Sequence, residues 1–336
     1  MIKDIIIYSV IIFIVIFSFT KISYSYNLLD TPNKRKKHLK PTSYIGGLAI
    51  SITLIISIVL FDVIGDKLNL ILSIGFIMAI VGFIDDKFKL NTGGKLSLQI
   101  IPIFYLIVIE NISLTQLGDY NQFQLKLNSF AVPFTLMCVL LLINAFNYFD
   151  GIDGTLSFSS ISILVILYFL VPDYEFKLFL IIIFIPIIIF LCFNFSLLKL
   201  PKMFLGDSGS LLLGFIISFT LIYLSNQKLV HPILLAWSIG IFVYEFLSLN
   251  IIRLKKNQNP FKAGQDHLHH ILFKKTNSIF ATNFTIAGMN IILFSIGFLS
   301  FLLISPLGSL ILFVTLFIVF LILRNKYANH TLERKI

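Results

Sequence analysis

Apolar runs of about 17 to 25 residues recur along this chain from end to end, and they constrain its fold more than any other feature. A helix needs about 20 apolar residues to cross a hydrocarbon core that is roughly 30 Å thick. Of the 336 residues, 57% are hydrophobic and 12% are charged, and the mean hydropathy is +0.96. Soluble domains are about 25% charged, so the composition indicates an all-α, polytopic integral membrane protein.

Eleven membrane spans are predicted, and no soluble domain or internal repeat is recognisable. Residues 1–336 are therefore expected to form a single transmembrane domain. The longest predicted outer loop covers residues 111–129, where alternating Phe123, Leu125 and Leu127 predict a short hairpin. The spans lie near residues 5–24, 46–62, 69–84, 97–110, 130–147, 155–172, 177–196, 209–225, 232–252, 284–304 and 307–323.

The distribution of basic residues predicts the orientation of the chain. Most of the 26 Lys and Arg residues fall in one alternate set of predicted loops and in the C-terminal tail. By the positive-inside rule, the N-terminus is expected outside and the C-terminus in the cytoplasm. The net charge of +10 lies in these short loops rather than on a soluble face, so no nucleic acid partner is expected.

Acidic residues are scarce in this chain, so their positions are informative. Asp85, Asp86, Asp150, Asp153 and Asp207 all lie at or just beyond the end of a predicted span, and all are on the predicted cytoplasmic side. These positions predict a polar site at that membrane face.

The first acidic cluster follows the third span. Asp85 and Asp86 are adjacent, and Lys87, Lys89 and Lys95 follow within ten residues. Mg²⁺ prefers hard oxygen ligands and phosphates attract cations, so this combination suits a site that handles both. The alternative is an ordinary charged loop that caps a helix.

The second cluster is the sequence NAFNYFDGIDG. Asn144, Asn147 and Asp150 are three residues apart, which predicts one stripe of a helix emerging from the bilayer, and Asp153 continues that spacing. The adjacent glycines would allow a ligand to approach the backbone closely. The alternative is that Asn and Asp only cap the fifth span.

The third cluster is the sequence FLGDSGS, in which Asp207 stands between glycines immediately before a new span. The free backbone N–H groups of a helix start favour an anionic ligand, and Asp207 would hold the accompanying metal ion. Helix capping alone, with Ser208 and Ser210 as candidate caps, is the competing interpretation.

The fourth cluster, QDHLHH, brings His267, His269 and His270 into one predicted cytoplasmic loop. We favour phosphate or nucleotide contact, with a zinc site and a solvated basic loop as alternatives. In the first inner loop, Lys37 and His38 belong to a polybasic segment that would contact anionic lipid, hold a lipid phosphate, or do both.

Taken in this order, the four motifs resemble the polyprenyl-phosphate N-acetylhexosamine-1-phosphate transferase family (glycosyltransferase family 4) over about residues 27–275. The resemblance implies one transferase domain with a cytoplasmic active-site cleft in the bacterial inner membrane. It also implies transfer of a sugar 1-phosphate from a UDP-N-acetylhexosamine to undecaprenyl phosphate with release of UMP. This would be the first membrane step of a surface polysaccharide, and it would require Mg²⁺, with Mn²⁺ as an alternative ion. A homodimer is compatible with it.

The resemblance also assigns expected roles residue by residue. The paired aspartates Asp85 and Asp86, and Asp150 and Asp153 of the N-x-x-N-x-x-D-G-x-D-G motif, are expected to be catalytic, and Asp207 is expected to be a direct Mg²⁺ ligand. The expected substrate-binding residues are Lys95, Asn144, Asn147, Asn194, His267, His269 and His270, to which the polybasic first loop adds Lys37 and His38.

Two alternatives to this function stay open in the sequence. A peptidoglycan-type phospho-N-acetylmuramoyl-pentapeptide transferase would show P-T-M-G-G and three consecutive histidines, whereas this chain has P-T-S-Y-I before Gly46 and Gly47 and the form H-x-H-H. A secondary transporter would place ionisable groups near the bilayer midplane. Glu245, inside the ninth span, is the residue that favours transport, and a buried hydrogen-bonded carboxyl is its plainer interpretation.

Overall fold

The computed structural model describes residues 2–31, 40–61, 65–121, 123–260, 264 and 266–333, with side chains up to residue 326. Over these residues the chain is helical apart from two short antiparallel strand pairs, which confirms the predicted all-α membrane class. The helices are α1 (Ile2–Ser25), α2 (Gly46–Leu60), α3 (Asp66–Phe88), α4 (Thr92–Phe104), α5 (Ala131–Phe149), α6 (Thr155–Leu170), α7 (Tyr174–Asn194), α8 (Gly206–Asn226), α9 (Pro232–Ser238), α10 (Gly240–Lys255), α11 (Leu268–Thr276), α12 (Ile279–Leu303) and α13 (Pro306–Glu333).

Each of the eleven predicted apolar segments coincides with helix, and the chain is a multi-pass membrane protein. Within the described residues, 8 helices are long and apolar enough to cross a membrane, or 9 if α9 and α10 form one span bent by 73°. The apolar helices α2 and α6 are shorter than a full crossing. Eleven crossings therefore stay a prediction.

Local sequence explains where several helices begin and end. The Asn91 side chain accepts a hydrogen bond from the Gly94 amide at 2.7 Å and starts α4 at Thr92, earlier than the predicted residue 97. Asp173 caps α7 in the same way. Lys89 ends α3 in the left-handed region with φ of 51°. After Phe104 the last turn of α4 widens into a π-helix, Tyr105–Ile109.

The chain divides into two compact units, and the prediction of a single domain stays a prediction. The first unit comprises Met1–Ile112 and Leu167–Thr220. In it, the buried Tyr8 hydroxyl lies 3.2 Å from the Thr53 carbonyl and 3.3 Å from the Ile182 carbonyl, which joins α1 to α2 and α7. Strands β1 (Leu29–Asp30) and β2 (Thr42–Ser43) pair in an antiparallel arrangement at the two ends of the first basic loop.

The second unit comprises Ser113–Ile166 and Leu221–Ile336. The predicted hairpin is present as β3 (Gln116–Asp119) paired with β4 (Gln124–Lys126). Buried polar side chains join its helices: Asn290 donates to Ser162 Oγ at 3.0 Å and to the Ser238 carbonyl at 2.9 Å. Such bonds hold apolar helices in one register, because an unpaired polar group is costly in an apolar interior.

Candidate active site

The C-terminal end of α3 holds the paired aspartates of the first unit. Asp85 is buried, and its Oδ1 accepts a hydrogen bond from the Leu90 amide at 3.1 Å. That bond fixes the turn after α3, so the capping interpretation is correct for one oxygen of this carboxylate. The other oxygen, Oδ2, lies 2.6 Å from Lys95 Nζ.

Lys95 joins α3, α4 and α8 at one point. Its ammonium contacts Asp85 Oδ2 and Asp207 Oδ2, each at 2.6 Å. Its side chain is 16% exposed, so these ion pairs are shielded from most solvent. With both carboxylates ionised the three side chains carry a net negative charge, so the cluster favours a metal cation, which can in turn bind phosphate oxygens together with Lys95.

The start of α8 lies against the same aspartates. Asp86 Oδ2 is 3.4 Å from the Ser208 amide, so a carboxylate of the protein occupies part of the anion-binding position expected at this helix start. The Ser208 hydroxyl donates to the Leu205 carbonyl at 3.3 Å. The candidate cap Ser208 therefore bonds backward along the chain, and Asp86 supplies an acceptor for the α8 N-terminus.

Small residues allow α8 to reach this position. A Cβ on Gly82 would lie 2.5 Å from Ser208 Cα, and one on Gly47 would overlap the backbone of Gly209. Real Cβ atoms essentially never approach backbone this closely. Gly47 on α2 and Gly82 on α3 therefore leave the space that the first turn of α8 fills, and Asp207 is carried by that turn.

The first unit contains oxygen donors of the kind that a magnesium ion takes. Asp207 and Asp85 offer hard carboxylate oxygens around Lys95, and Asn194 Oδ1 is buried without a hydrogen-bond partner in the described part of the chain. Asn194 Nδ2 donates to the Met203 carbonyl at 2.9 Å, close in sequence to α8. The described residues contain no group of three His, Cys, Asp or Glu able to enclose a metal. Mg²⁺ is commonly held by one or two carboxylates together with phosphate oxygens and water, so a full protein cage is not required.

The asparagine and aspartate motif lies in the second unit, at the end of α5. Asn144 and Asn147 share a half-buried stripe of α5, as predicted, and Asp150 is the residue at which the helix ends. Asp153 does not continue that stripe, because the chain turns after Phe149. It lies in the turn before α6, where its backbone carbonyl accepts a hydrogen bond from Asn283 Nδ2 at 2.8 Å.

The histidine motif packs against this turn within the second unit. A Cβ on Gly151 would overlap the His269 imidazole, so the glycine of the D-G-x-D-G sequence makes room for that ring. His267 precedes α11, and His269 and His270 lie in its first turn. The His267 and His269 rings stack with centroids 5.5 Å apart. Because α11 begins at Leu268, only His269 and His270 lie on the helix itself.

Two of these histidines are buried and uncharged. Burial is the main cause that lowers the pKa of His267 to about 4 and the pKa of His269 well below its ordinary value of 6.5. Neither His267 Nδ1 nor His269 Nε2 has a hydrogen-bond partner among the described residues. A neutral ring nitrogen without a partner can donate or accept one further hydrogen bond. The zinc alternative has no support in the described residues, where no metal-binding group of three such side chains occurs.

An ion-pair network that the sequence motifs do not predict lies next to the histidines. It consists of Glu245, Arg253, Asp266 and Arg324, all in the second unit. Glu245 is an unusual acid within a predicted span. Arg324, at the end of the last apolar run, is the one signal for a partner, but nothing in the local sequence links Arg324 to Glu245. Lys37 and His38 lie outside the described residues.

Residues 68–225 match the model of Glycosyl transferase family 4. Over this stretch the chain is a relative of glycosyl transferase family 4. The match includes both aspartate motifs, Asn194 and Asp207, and ends before the histidines. The resemblance inferred from the motifs is confirmed by this match together with similar proteins from several bacteria.

These similar proteins share one name, undecaprenyl-phosphate alpha-N-acetylglucosaminyl 1-phosphate transferase. The protein of Escherichia coli strain K12 is 27% identical over 278 residues, covering 79% of this chain and 75% of its own length. That of Salmonella typhimurium is 29% identical over 275 residues with the same coverage. That of Haemophilus influenzae is 28% identical over 260 residues, covering 74% of this chain and 72% of its own length.

Proposed function

We propose that this family 4 relative is an enzyme that transfers a sugar 1-phosphate from a UDP-N-acetylhexosamine to undecaprenyl phosphate, releasing UMP and leaving an undecaprenyl-pyrophosphoryl sugar. The observation that carries the proposal is the Lys95 ammonium held between Asp85 and Asp207 at the ends of apolar helices. The shared name of the bacterial relatives supports the same acceptor lipid and the same reaction class.

The reaction needs alignment and charge neutralisation more than proton removal. The nucleophile is a phosphate oxygen of the lipid, which attacks the sugar-bearing phosphorus as the bond to the UMP oxygen breaks. A phosphate monoester has a second pKa of about 6, so this nucleophile is largely dianionic at neutral pH. Asp85 and Asp86 are therefore proposed to position Lys95 and the start of α8 rather than to act as general bases.

A magnesium ion is proposed as the cofactor, with Mn²⁺ as an alternative. Asp207 would be its direct ligand, with Asp85 next to it across Lys95 and the unpaired Asn194 Oδ1 as a further oxygen. When bound, the ion supplies positive charge that stabilises the pyrophosphate and the departing UMP. Lys95 is proposed to contact phosphate oxygens, because its ammonium can exchange a carboxylate contact for a phosphate contact.

The second unit is proposed to supply further substrate contacts. Asp150 and Asp153 flank Gly151, against which His269 packs, so the aspartate turn and the histidine motif form one surface within that unit. Neutral His267 and His269 would donate or accept hydrogen bonds at phosphate or sugar oxygens through the buried nitrogens that lack a partner among the described residues. Asn144 and Asn147 add amide groups on the adjacent stripe of α5.

The acceptor lipid and the basic loops support a location in the bacterial inner membrane. The positive-inside distribution of Lys and Arg favours a cytoplasmic active-site face, where UDP-sugars would be available. The first membrane step of a surface polysaccharide is the proposed role. A homodimer is compatible with this role.

The direct test is an assay of purified protein in detergent with undecaprenyl phosphate, Mg²⁺ and each of several UDP-N-acetylhexosamines. We expect release of UMP that requires the lipid and stops when EDTA removes the metal. The donor that gives the highest kcat/KM identifies the sugar. No UMP release with any donor, together with uptake of a solute into sealed vesicles, would support a transporter instead.

The structure weakens the argument for transport. Glu245, the acid that favoured it, is 1% exposed and ion-paired with Arg324 at 2.7 Å. A carboxylate with a fixed internal counter-ion is not an open ion-binding site. The muramoyl-pentapeptide reaction is tested in the same donor panel by including UDP-N-acetylmuramoyl-pentapeptide.

A further inference from the structure

Glu245 and Arg324 hold the backbone on both sides of His267. Glu245 Oε1 accepts a hydrogen bond from the Leu268 amide at 2.8 Å. Arg324 donates to the same carboxylate oxygen and also to the Asp266 carbonyl. The peptide groups before and after His267 are thus both bonded to one buried ion pair, which fixes the direction in which the imidazole leaves the backbone.

A second ion pair extends this support to the chain before the histidines. Arg253 donates through Nε and an Nη to the two carboxylate oxygens of Asp266, at 3.0 and 2.7 Å. It also bonds to the Pro260 carbonyl, which accepts from the Tyr148 hydroxyl at 2.9 Å. The Tyr148 ring meets the His267 ring edge-on with centroids 4.9 Å apart. A bidentate arginine–carboxylate pair has a restricted geometry, so it restrains Asp266 more than a single contact would.

The energetic cost of this arrangement argues for a role beyond packing. Both members of the Glu245–Arg324 pair are less than one-tenth exposed, and two apolar side chains of similar volume are commonly as stable as a buried ion pair, or more stable. Glu245 Oε2 and Arg324 Nε have no hydrogen-bond partner among the described residues. Unlike apolar side chains, the pair makes two hydrogen bonds to the peptide groups on either side of His267.

We infer that Glu245 and Arg324 are positioning residues, which act through the backbone of Asp266 and Leu268 to hold His267 and His269 in the orientation that the reaction needs. The inference rests on the proposed function. It also gives the last span a part in the site, because Arg324 lies on α13, about a hundred residues beyond the end of the family match.

The sharpest test replaces the pair by an apolar one. The double variant Glu245→Leu with Arg324→Leu should keep the stability of the fold, since replacing a buried ion pair by two leucines is commonly neutral or stabilising. If the pair only stabilised the protein, this variant would therefore stay active. The two backbone bonds are lost. Lys326→Leu is the matched control, because Lys326 is an exposed cation on the same helix.

We expect the double variant to unfold within about 3 °C of the wild type or above it, while UMP release falls roughly tenfold or more. Diethyl pyrocarbonate, followed by mass spectrometry, should modify His267 and His269 about threefold faster than in the wild type, because opening of the loop exposes buried groups. The control should match the wild type in all three measurements. A double variant that keeps UMP release within about twofold of the wild type would overturn the inference.

A conservative variant covers the case in which the double variant does not fold. Arg324→Lys keeps the ion pair but cannot reproduce the planar arginine geometry, so a partial loss of UMP release is expected. Adding His267→Ala to Arg324→Lys should cost no more than His267→Ala alone, since both changes remove the same contact. If the combined variant loses UMP release by the product of the two single losses, positioning through His267 is contradicted. If the wild type releases no UMP, the proposed function fails, whereas the histidine modification rates still test the positioning.

Discussion

Lys95 Nζ and Asp207 Oδ2 lie 2.6 Å apart although 112 positions separate the two residues in the sequence. The same ammonium is 2.6 Å from Asp85 Oδ2. One cation therefore bridges two carboxylates that would otherwise repel each other near the ends of α3 and α8, and the cluster keeps a net negative charge when both are ionised. A phosphate group entering this place would meet a cation already oriented by the protein, which is the preorganisation that phosphoryl transfer requires.

Replacing Lys95 by Met should remove the phosphate contact and leave Asp85 and Asp207 without their shared counter-ion. We expect kcat/KM for UMP release to fall about a hundredfold or more, since aligned charged groups contribute on this scale. The measurement is steady-state UMP release at saturating lipid. Lys67→Met is the control, because Lys67 is exposed near the other end of α3, and its rate should stay within about twofold of the wild type.

Asp207→Asn should abolish activity and leave the folded protein in place. The change removes a proposed metal ligand but hardly alters side-chain volume, so the elution profile and unfolding temperature should be close to those of the wild type. Asp66→Asn, at an exposed helix start, is the control. Retention of more than about a tenth of the wild-type rate, equivalent to roughly 1.4 kcal/mol in the barrier, would argue against a metal role.

Hydropathy predicts the apolar helices, since every predicted span coincides with helix, and the hairpin near Phe123 is present; it does not predict the polar helix α11. It could not predict the 73° bend between α9 and α10 or the turn that takes Asp153 off the α5 stripe, because both depend on local backbone geometry. Capping by Asn91 likewise began α4 earlier than the apolar run indicated.

The site was predictable where chemistry lies in short motifs, and less so where it depends on distant pairing. The motifs identified Asp85, Asp207 and the histidines, but a contact such as Glu245 with Arg324 joins residues 79 positions apart. Periodicity carries no information on which helices pack together. Such a pair can be found only when the tertiary structure is known, and roles for Lys37 and His38 stay predictions.

Gly82→Ala should reduce both stability and activity, because the added methyl group would meet the backbone of Asp207 and Ser208. Overpacking of this kind commonly costs about 1–3 kcal/mol, and relief by a shift of α8 would move Asp207 away from Lys95. Thermal unfolding and UMP release measure the two effects. Gly288→Ala is the matched control, since a Cβ at that helical position meets nothing within 4 Å. The prediction is contradicted if the two variants behave alike.

The buried histidines should make stability depend on pH. The folded-state pKa of His267 is lowered to about 4 from an ordinary 6.5, mainly by burial, and that of His269 is lowered as well. Between these pH values the unfolded chain binds more protons than the folded protein. The free energy of unfolding is therefore highest above about pH 6.5 and falls as the pH drops toward 4. Unfolding temperatures measured from pH 7.5 to pH 5 should decline more steeply for the wild type than for His267→Gln combined with His269→Gln. The variant lacks the imidazoles that must take up protons, so equal slopes would show that these rings are not the buried neutral groups described here.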